Sequence, residues 1–562
     1  MASDQTALQR GNDGTMDQPS SIRLSLILIG LCLAVFLTGM DQTILATATP
    51  IISNEFKALD DIAWWSNAYL LTLSSFQLFY GKLYSLFSIK LVYLTAIALF
   101  EVGSLICTTA PNSIALIIGR AIAGLGAAGV FSGGILITTK LIPLSRRAAY
   151  LGIMSGAFGL AAIVGPFLGG ALTDRTTWRW CFGINLPLGA VTVVLCAVLV
   201  HLPKEPEIQS IGLVNKFKQL DIPGTICLVG SLICLLMALQ WGGSSYPWNS
   251  SRVIALFVVF GILLIVFIVT QMTMITGNSR TIPASLLKNR DIWLAASYAM
   301  CMTGGVYVAI LYLPVWFQAI RGSSALSSGA MLTPLIGGYV VCSIISGGVT
   351  SAIGYYNPGM IIGTALSIAG ATLLTTIHMD SSIAKIVGYQ LLYGFGVGFG
   401  FGQPSYVVQT ILPPSDVPIG VTFITLMQNL SASIFVAVGQ SILQGELRSR
   451  LQSILPDVNI QSLLNSGASD FASSLPPESR QQALSVYSVC LVSTLYISLA
   501  LSCTSVVGAI GIRWYSMKKT HGQTIDDTSD QPGGIRDGAT AGNNGEHVEI
   551  SPTDGESFAE IK

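Results

Sequence analysis

The sequence predicts an all-α membrane protein with fourteen membrane-spanning helices, and three observations carry that expectation. Of the 562 residues, 51% are hydrophobic and only 10% are charged, whereas soluble domains carry about 25% charged residues. The apolar residues gather in runs of about 20 or more, the length a helix needs to cross hydrocarbon. Lys and Arg fall unevenly on the loops between those runs. The low charge excludes a long disordered chain. Equal numbers of basic and acidic residues, 28 of each, exclude a nucleic-acid partner recruited by a basic surface.

Residues 1–22 are polar and lack the apolar core of a cleaved leader, so the first run is expected to stay in the mature protein. The runs are 24–50, 62–81, 91–110, 114–136, 148–172, 181–201, 222–241, 253–275, 292–316, 328–352, 357–377, 386–409, 418–443 and 487–511. Irregular backbone cannot face lipid, so each should be a helix. The runs are too long and too uniformly apolar for barrel strands. With both termini cytoplasmic, eighteen basic residues lie on inside segments and nine outside, the bias expected of that orientation.

The expected organisation is a cytoplasmic tail at 1–22, a six-helix bundle at 23–201 and a linker with two extra helices at 202–290. A second six-helix bundle at 291–512 follows, with a long outside loop at 444–486, and then a disordered cytoplasmic tail at 513–562. Asn249-Ser-Ser lies in an outside loop and is a candidate glycosylation acceptor. The ten cysteines show no ligand spacing and read as small core residues.

Of 56 charged residues the runs contain three, Asp41, Glu101 and Arg120. A charge in hydrocarbon costs about 2.5–3.5 kcal/mol by the lower estimates, so such residues face a partner or a wet cavity. Asp41 and Arg120 lie at similar depths below the outer ends of their helices and are within reach of each other. Two readings stand. The pair is a proton-coupling centre, in which an approaching Arg or cargo switches the carboxylate's proton on and off, or it is a static lock between helices. Glu101, near the middle of the third run, is a further coupling candidate or an interfacial hydrogen-bonding group. Any protonation chemistry is expected in the first half, because the last six runs carry no charge.

Polar groups near the midplane are candidates for a cargo cavity: Asn67, Gln77, Gln403, Gln428 and Asn429. Each could equally bond a neighbouring helix. Trp64, Trp65, Trp178 and Trp180 fall at outer interfaces, where belt anchoring is expected. Gly124-Leu-Gly126-Ala-Ala-Gly129 has G-x-G-x-x-G spacing, but it lies inside an apolar run with no preceding strand, so it is read as helix packing and not dinucleotide binding. A G-x-x-x-x-G-K-[ST] phosphate loop does not occur, and the four His (His201, His378, His521, His547) have no metal spacing. An enzyme is therefore not expected, nor a bound cofactor or metal.

Several motifs together carry a resemblance. They are Met40-Asp41-Gln-Thr43-Ile44 with Thr49-Pro50; Gly81-Lys82-Leu83-Tyr-Ser85-Leu-Phe-Ser88-Ile89-Lys90; Gly119-Arg120 with Gly124 and Gly126; Gly156, Gly159 and Gly165-Pro166-Phe-Leu-Gly169-Gly170; and Trp178-Arg-Trp180-Cys-Phe-Gly-Ile-Asn185-Leu-Pro187. In these the chain resembles the major facilitator superfamily, specifically its fourteen-helix drug:proton antiporters of the fungal toxin-efflux type. The resemblance implies a major facilitator fold arranged as 6 + 2 + 6 helices, with 1–6 repeated in 9–14. It also implies export of an amphipathic toxin, secondary metabolite or drug against protons, the proton gradient being the energy source. An importer or facilitator of a small organic molecule or metal chelate is the alternative in the same fold. Gly81, Lys82 and Lys90 remain of the loop motif, but its acidic, second Gly and Arg positions are Ser85, Ser88 and Ile89, so the resemblance does not extend to a charge relay there. Pro166 removes a backbone donor and should bend its helix, and the glycines around it leave room for sliding against the opposite half. The expected partners are the cargo, protons and the bilayer. The expected state is a monomer in the plasma membrane, with the vacuolar membrane as the alternative.

Overall fold

The computed structural model describes residues 20–518 apart from 58–60, 203–211, 213–214, 217–218, 244–245, 273–279, 324 and 455–479. The chain there is helical from end to end. In order the helices are α1 (Ser21–Thr43), α2 (Leu45–Phe56), α3 (Ile62–Ser75), α4 (Gln77–Leu86), α5 (Ile89–Thr108), α6 (Ser113–Leu141), α7 (Leu144–Arg175), α8 (Trp180–Gly183), α9 (Asn185–Leu199) and α10 (Ile222–Trp241). There follow α11 (Ser251–Met272), α12 (Ala284–Leu287), α13 (Arg290–Arg321), α14 (Ala325–Met331), α15 (Thr333–Ile353), α16 (Asn357–Leu374), α17 (Ile383–Gly400), α18 (Gln403–Ile411), α19 (Val417–Ile454) and α20 (Arg480–Gly511). Their ends follow local chemistry. Ser20, Asn112 and Ser382 accept backbone N–H bonds as N-caps, while Gly322 and Gly354 close α13 and α15 in the left-handed region.

Fourteen unbroken spans are not what the fold contains. Among the described residues, twelve helical stretches are long and apolar enough to cross a membrane. Two expected spans are each built from two shorter helices. The run 62–81 is divided at Phe76, which takes φ −93° and ψ 3° between α3 and α4. The run 386–409 is divided at Phe401-Gly402, where Pro404 in the first turn of α18 lacks the N–H that would continue α17. The expected outside loop 444–486 is also shorter than supposed. Helix α19 runs on to Ile454 and α20 begins at Arg480, and the remainder lies outside the described residues, as do both tails from 1–19 and 519–562.

Helices α1 and α3–α9 pack as one bundle and α13–α20 as another, with α10 and α11 paired beside them. Two faces join the bundles: α7 lies along α15, and α4 lies along α19. The lipid-facing surface is explicit in α11, where Val258, Ile262, Ile265, Val269 and Met272 are all about half exposed or more. A continuous apolar face of this kind is stable in hydrocarbon and not in water.

Small residues set how closely the helices approach. A Cβ on Gly124 would collide with the Tyr69 carbonyl on α3, and one on Gly126 with the Phe100 backbone on α5. The G-x-G-x-x-G cluster is thus the packing face of α6.

Candidate functional site: a buried ion pair beside an inter-bundle cavity

The first bundle places Asp41 near the end of α1 and Arg120 two turns into α6. Both are 1% exposed, and Arg120 Nη1 lies 2.5 Å from Asp41 Oδ2. Protein groups surround most of the pair. Arg120 Nε donates to the Trp65 carbonyl (2.8 Å), and its guanidinium sits over the Tyr69 ring, 4.4 Å from the centroid, with Phe182 on its flank. The second carboxylate oxygen, Oδ1, accepts from Asn185 Nδ2 (3.3 Å), which also donates to Ser104 Oγ (3.1 Å). Tyr69 is fixed by donating to the Thr38 carbonyl (3.1 Å).

Arg120 and Tyr69 also border a cavity of about 210 Å³ between the two bundles. The first bundle contributes Gln42, Thr43 and Ser66 as polar lining and Phe158 as apolar lining. The second contributes Tyr307 and Ile310 from α13, Tyr339 from α15 and Phe401 from the joint between α17 and α18. The walls are mostly aromatic and aliphatic, with a few hydroxyls, one amide and one cation. Such a lining suits a partly apolar organic molecule with a small number of polar groups.

One end of the cavity is sealed. At the end where α7 begins and α15 ends, termed the inner end after the charge bias of the loops, the bundles are hydrogen-bonded across the seam. Tyr339 donates to the Ser155 carbonyl (3.4 Å), Ser343 Oγ to the Gly152 carbonyl (3.3 Å), and Tyr406 to the Ala148 carbonyl (3.1 Å). Ala149 N donates to Ser351 Oγ (3.0 Å). Gly347 allows the contact, since a Cβ there would meet the Ala148 carbonyl.

Only some of the motif residues lie on this seam. Gly156 and Gly159 face Ile344 and Tyr339 of α15, and Gly165 abuts Thr43 of α1 just before Pro166, which lies within α7. The Gly169 carbonyl accepts from Thr173 Oγ1, whereas a Cβ on Gly170 would have open space. Gly81 packs on Thr422 of α19, and Lys82 Nζ donates to the Arg280 carbonyl (2.7 Å). Lys90 Nζ instead caps the end of α9 at the Ala197 carbonyl (2.6 Å). The position that is acidic in the loop motif, Ser85, only bonds back to the Lys82 carbonyl.

The expected cavity residues lie elsewhere. Gln77 donates to Ser132 Oγ (3.3 Å), and Gln403 Nε2 donates to Ser346 Oγ (2.8 Å) and Thr350 Oγ1 (3.1 Å), so both tie helices together within their own bundle. Asn67 is half-buried on α3 and does not border the cavity, though its neighbour Ser66 does. Gln428 borders a separate void of about 20 Å³ beneath Phe401, and Asn429 is half-buried without bordering either. Asn249 is exposed in the turn between α10 and α11. Trp65 and Trp178 are buried, contrary to the expected interfacial belt: Trp65 Nε1 donates to Ser113 Oγ, and Trp178 Nε1 to Glu55 Oε2 (2.6 Å).

Glu101 is separate from the ion pair. It lies on α5 against Gly189 of α9, and neither of its buried carboxylate oxygens has a hydrogen-bond partner among the described residues.

Two helical bundles meeting at a seam, with a cavity between them and a buried ion pair on its border, have the architecture of a membrane transporter. The chain belongs to the Major Facilitator Superfamily, which it matches over residues 31–436. It is 46% identical, over 89% of this chain and 92% of the relative, to the "MFS thioclapurine efflux transporter tcpA" of Claviceps purpurea. It is 43% identical, over 89% and 97%, to the "Efflux pump aflT" of Aspergillus parasiticus, and 42% identical, over 92% and 96%, to the "Efflux pump roqT" of Penicillium rubens. The fold is similar to that of the proton:xylose symporter XylE, with a TM-score of 0.58 at 13% identity, covering 89% of this chain and 98% of that one. Family and fold are those of multi-pass membrane transporters of small molecules and not of enzymes.

Proposed function

We propose that this chain is a proton-coupled antiporter that exports a small amphipathic organic compound, a toxin, secondary metabolite or drug. The observation that carries the reading is the buried Asp41–Arg120 pair on the border of a cavity shared by both bundles. A carboxylate so placed has its charge compensated only by its guanidinium partner and the Asn185 amide. Cargo that draws Arg120 toward the cavity weakens the pair, and Asp41 then takes a proton. Proton and cargo thereby compete for one centre, which is the requirement for exchange. The relatives' names as efflux pumps support the direction of transport.

The cycle runs from an outward-open state in which Asp41 is protonated, through reorientation, to an inward-open state in which the proton leaves as cargo binds. The inner seam closed by α7 and α15 corresponds to the outward-open or occluded part of that cycle. In this reading the two broken helices, α3–α4 and α17–α18, each complete a crossing, giving the fourteen spans of the drug:proton antiporters. The loop from Gly81 to Lys90 contributes a seam contact through Gly81 and Lys82 and no acidic relay. The transporter works as a monomer, uses no bound cofactor, and resides in the plasma membrane.

The test uses sealed vesicles with an acidic interior, the sidedness of inverted membranes, and a fluorescent lipophilic cation or metabolite as cargo. Uptake should collapse when the gradient is dissipated and should be lost in Asp41→Asn. Uptake that ignores the gradient, or survives at the normal rate in Asp41→Asn, overturns the proposal.

A further inference from the structure

Glu101 is a buried carboxyl group that the ion pair does not use. It sits on α5 at membrane depth, and its two oxygens are shielded from solvent and accept no hydrogen bond among the described residues. Its place is built: a Cβ on Gly189 would fall on the carboxylate, so only glycine at that position of α9 leaves room for it. One helical turn before Gly189 on α9 stands Asn185, and one turn after Glu101 on α5 stands Ser104. Asn185 Nδ2 is shared between Ser104 Oγ (3.1 Å) and Asp41 Oδ1 (3.3 Å). Asn185 Oδ1 is itself buried and unpartnered.

The cluster therefore lacks a donor. Ionised, Glu101 is acceptor-only, and the unpartnered Asn185 Oδ1, one turn from Gly189 on α9, is also an acceptor. Protonated, Glu101 has one O–H to give, and Asn185 Oδ1 is an unpartnered acceptor on the helix that Glu101 packs against. Charge leads to the same answer. Two carboxyl groups and one guanidinium share this part of the bundle, and Arg120 is committed to Asp41. A second ionised carboxylate would leave a net negative charge in hydrocarbon. Ionisable side chains near Asp41 include Tyr69 from α3, Cys107 from α5 and Cys181 from α8. None is a cation, and Asp41 is the charged group that acts on Glu101.

We propose that Glu101 is a second proton site of this transporter, holding its proton while the Asp41–Arg120 pair is closed and reporting its state to Asp41 through Asn185. This deepens, and rests on, the proton-coupled reading. When Glu101 carries the proton, its O–H engages Asn185 Oδ1 and fixes the amide with Nδ2 on Asp41. When Glu101 releases the proton to water, that anchor is lost, Asn185 turns, and Asp41 loses its second hydrogen bond. No other bond forms or breaks.

Infrared spectra of the full-length protein in lipid bilayers, recorded over a pH series, test this without any cargo. The wild type should show a protonated carboxyl stretch at neutral pH that disappears on the alkaline side. Glu101→Gln should remove that band, because its amide supplies the donor and preserves the fold. Asp41→Asn should keep the band but shift its titration by about one pH unit or more, a tenfold change in proton affinity. Asn185→Leu combined with Asp41→Asn should abolish that shift. Absence of the band in the wild type, its survival in Glu101→Gln, or a titration unmoved by Asp41→Asn overturns the proposal. If Glu101→Gln fails to fold, Glu101→Met serves for the same band. Gradient-driven uptake of a lipophilic cation by Asp41→Asn, measured in parallel, would overturn the parent reading and leave the infrared result standing by itself.

Discussion

Replacing Arg120 with Leu is the perturbation whose consequence the geometry fixes most tightly. Asp41 is 1% exposed and would keep only the 3.3 Å bond from Asn185. Removing one partner of a buried ion pair costs about 3–5 kcal/mol, because the remaining charge stays desolvated. At about 1.4 kcal/mol per tenfold, that is roughly a 10²- to 10⁴-fold loss in the folding equilibrium. The lost stacking on Tyr69 and the bond to the Trp65 carbonyl add to the cost in the same direction. Asp41→Leu alone strands the guanidinium and should cost a similar amount. The double variant Asp41→Leu/Arg120→Leu strands neither charge and should cost less than either single variant. Denaturant unfolding of the purified protein in detergent, run on all four forms, measures the cycle. A single variant as stable as the wild type, or a double variant with the summed cost of both singles, refutes the reasoning.

Three further outcomes follow from the seam, the cavity and the outer surface. Gly347→Val puts side-chain atoms where the Ala148 carbonyl lies. Overpacking of about 1–3 kcal/mol should disfavour the inner-closed state by roughly 5- to 150-fold, which increased labelling of a cysteine introduced at the inner end of α15 would report. Ala162→Trp fills the cavity that Ala162 borders and should abolish cargo binding by equilibrium titration while leaving the unfolding midpoint near that of the wild type. Glu55, on α2 beyond the membrane run, is held below its usual carboxylate range by the Trp178 indole N–H and further by Arg179. A depressed carboxylate stabilises above its unfolded value and loses that contribution as pH falls through the folded one. Glu55→Gln should therefore lower stability by under about 1 kcal/mol at neutral pH, since the pair is part-exposed, and the two melting curves should converge below about pH 4.

The parts of this fold that could be read from the sequence were those governed by composition over a whole run. Fifteen or more apolar residues in lipid have no alternative to a helix, so α5, α6, α10 and α11 fall close to the expected bounds. Asp41 and Arg120 stood out because charge in hydrocarbon demands a partner, and the structure pairs them. The break at Phe76 was hidden because Ser74, Ser75 and Gln77 beside it are uncharged and compatible with a membrane helix, and only the backbone dihedrals reveal it. The polar midplane residues misled because an amide such as Gln403 satisfies itself most cheaply on the next helix, here at Ser346 and Thr350. The cavity's polar lining is partly tyrosine, which counts as hydrophobic in a composition and yet offers a hydroxyl. Asn185 was visible within its motif, but its role depends on a bridge between α1, α5 and α9 that no spacing along one chain segment encodes.

The hydrogen bonds at the inner seam set an energetic condition on turnover. Four of them cross between α7 or its start and the second bundle, from Tyr339, Ser343, Tyr406 and Ala149. At about 0.5–1.5 kcal/mol net apiece they favour the closed inner end by roughly 2–6 kcal/mol. One proton moving down two pH units releases only about 2.7 kcal/mol. Opening the inner end without replacing those bonds would raise the inner-open state by an amount comparable to that driving force and leave it sparsely populated. The opposite conformation must therefore form a comparable set between the outer ends of the same helices. The two states are then nearly isoenergetic, and small changes at either rim tilt which way the unloaded protein rests.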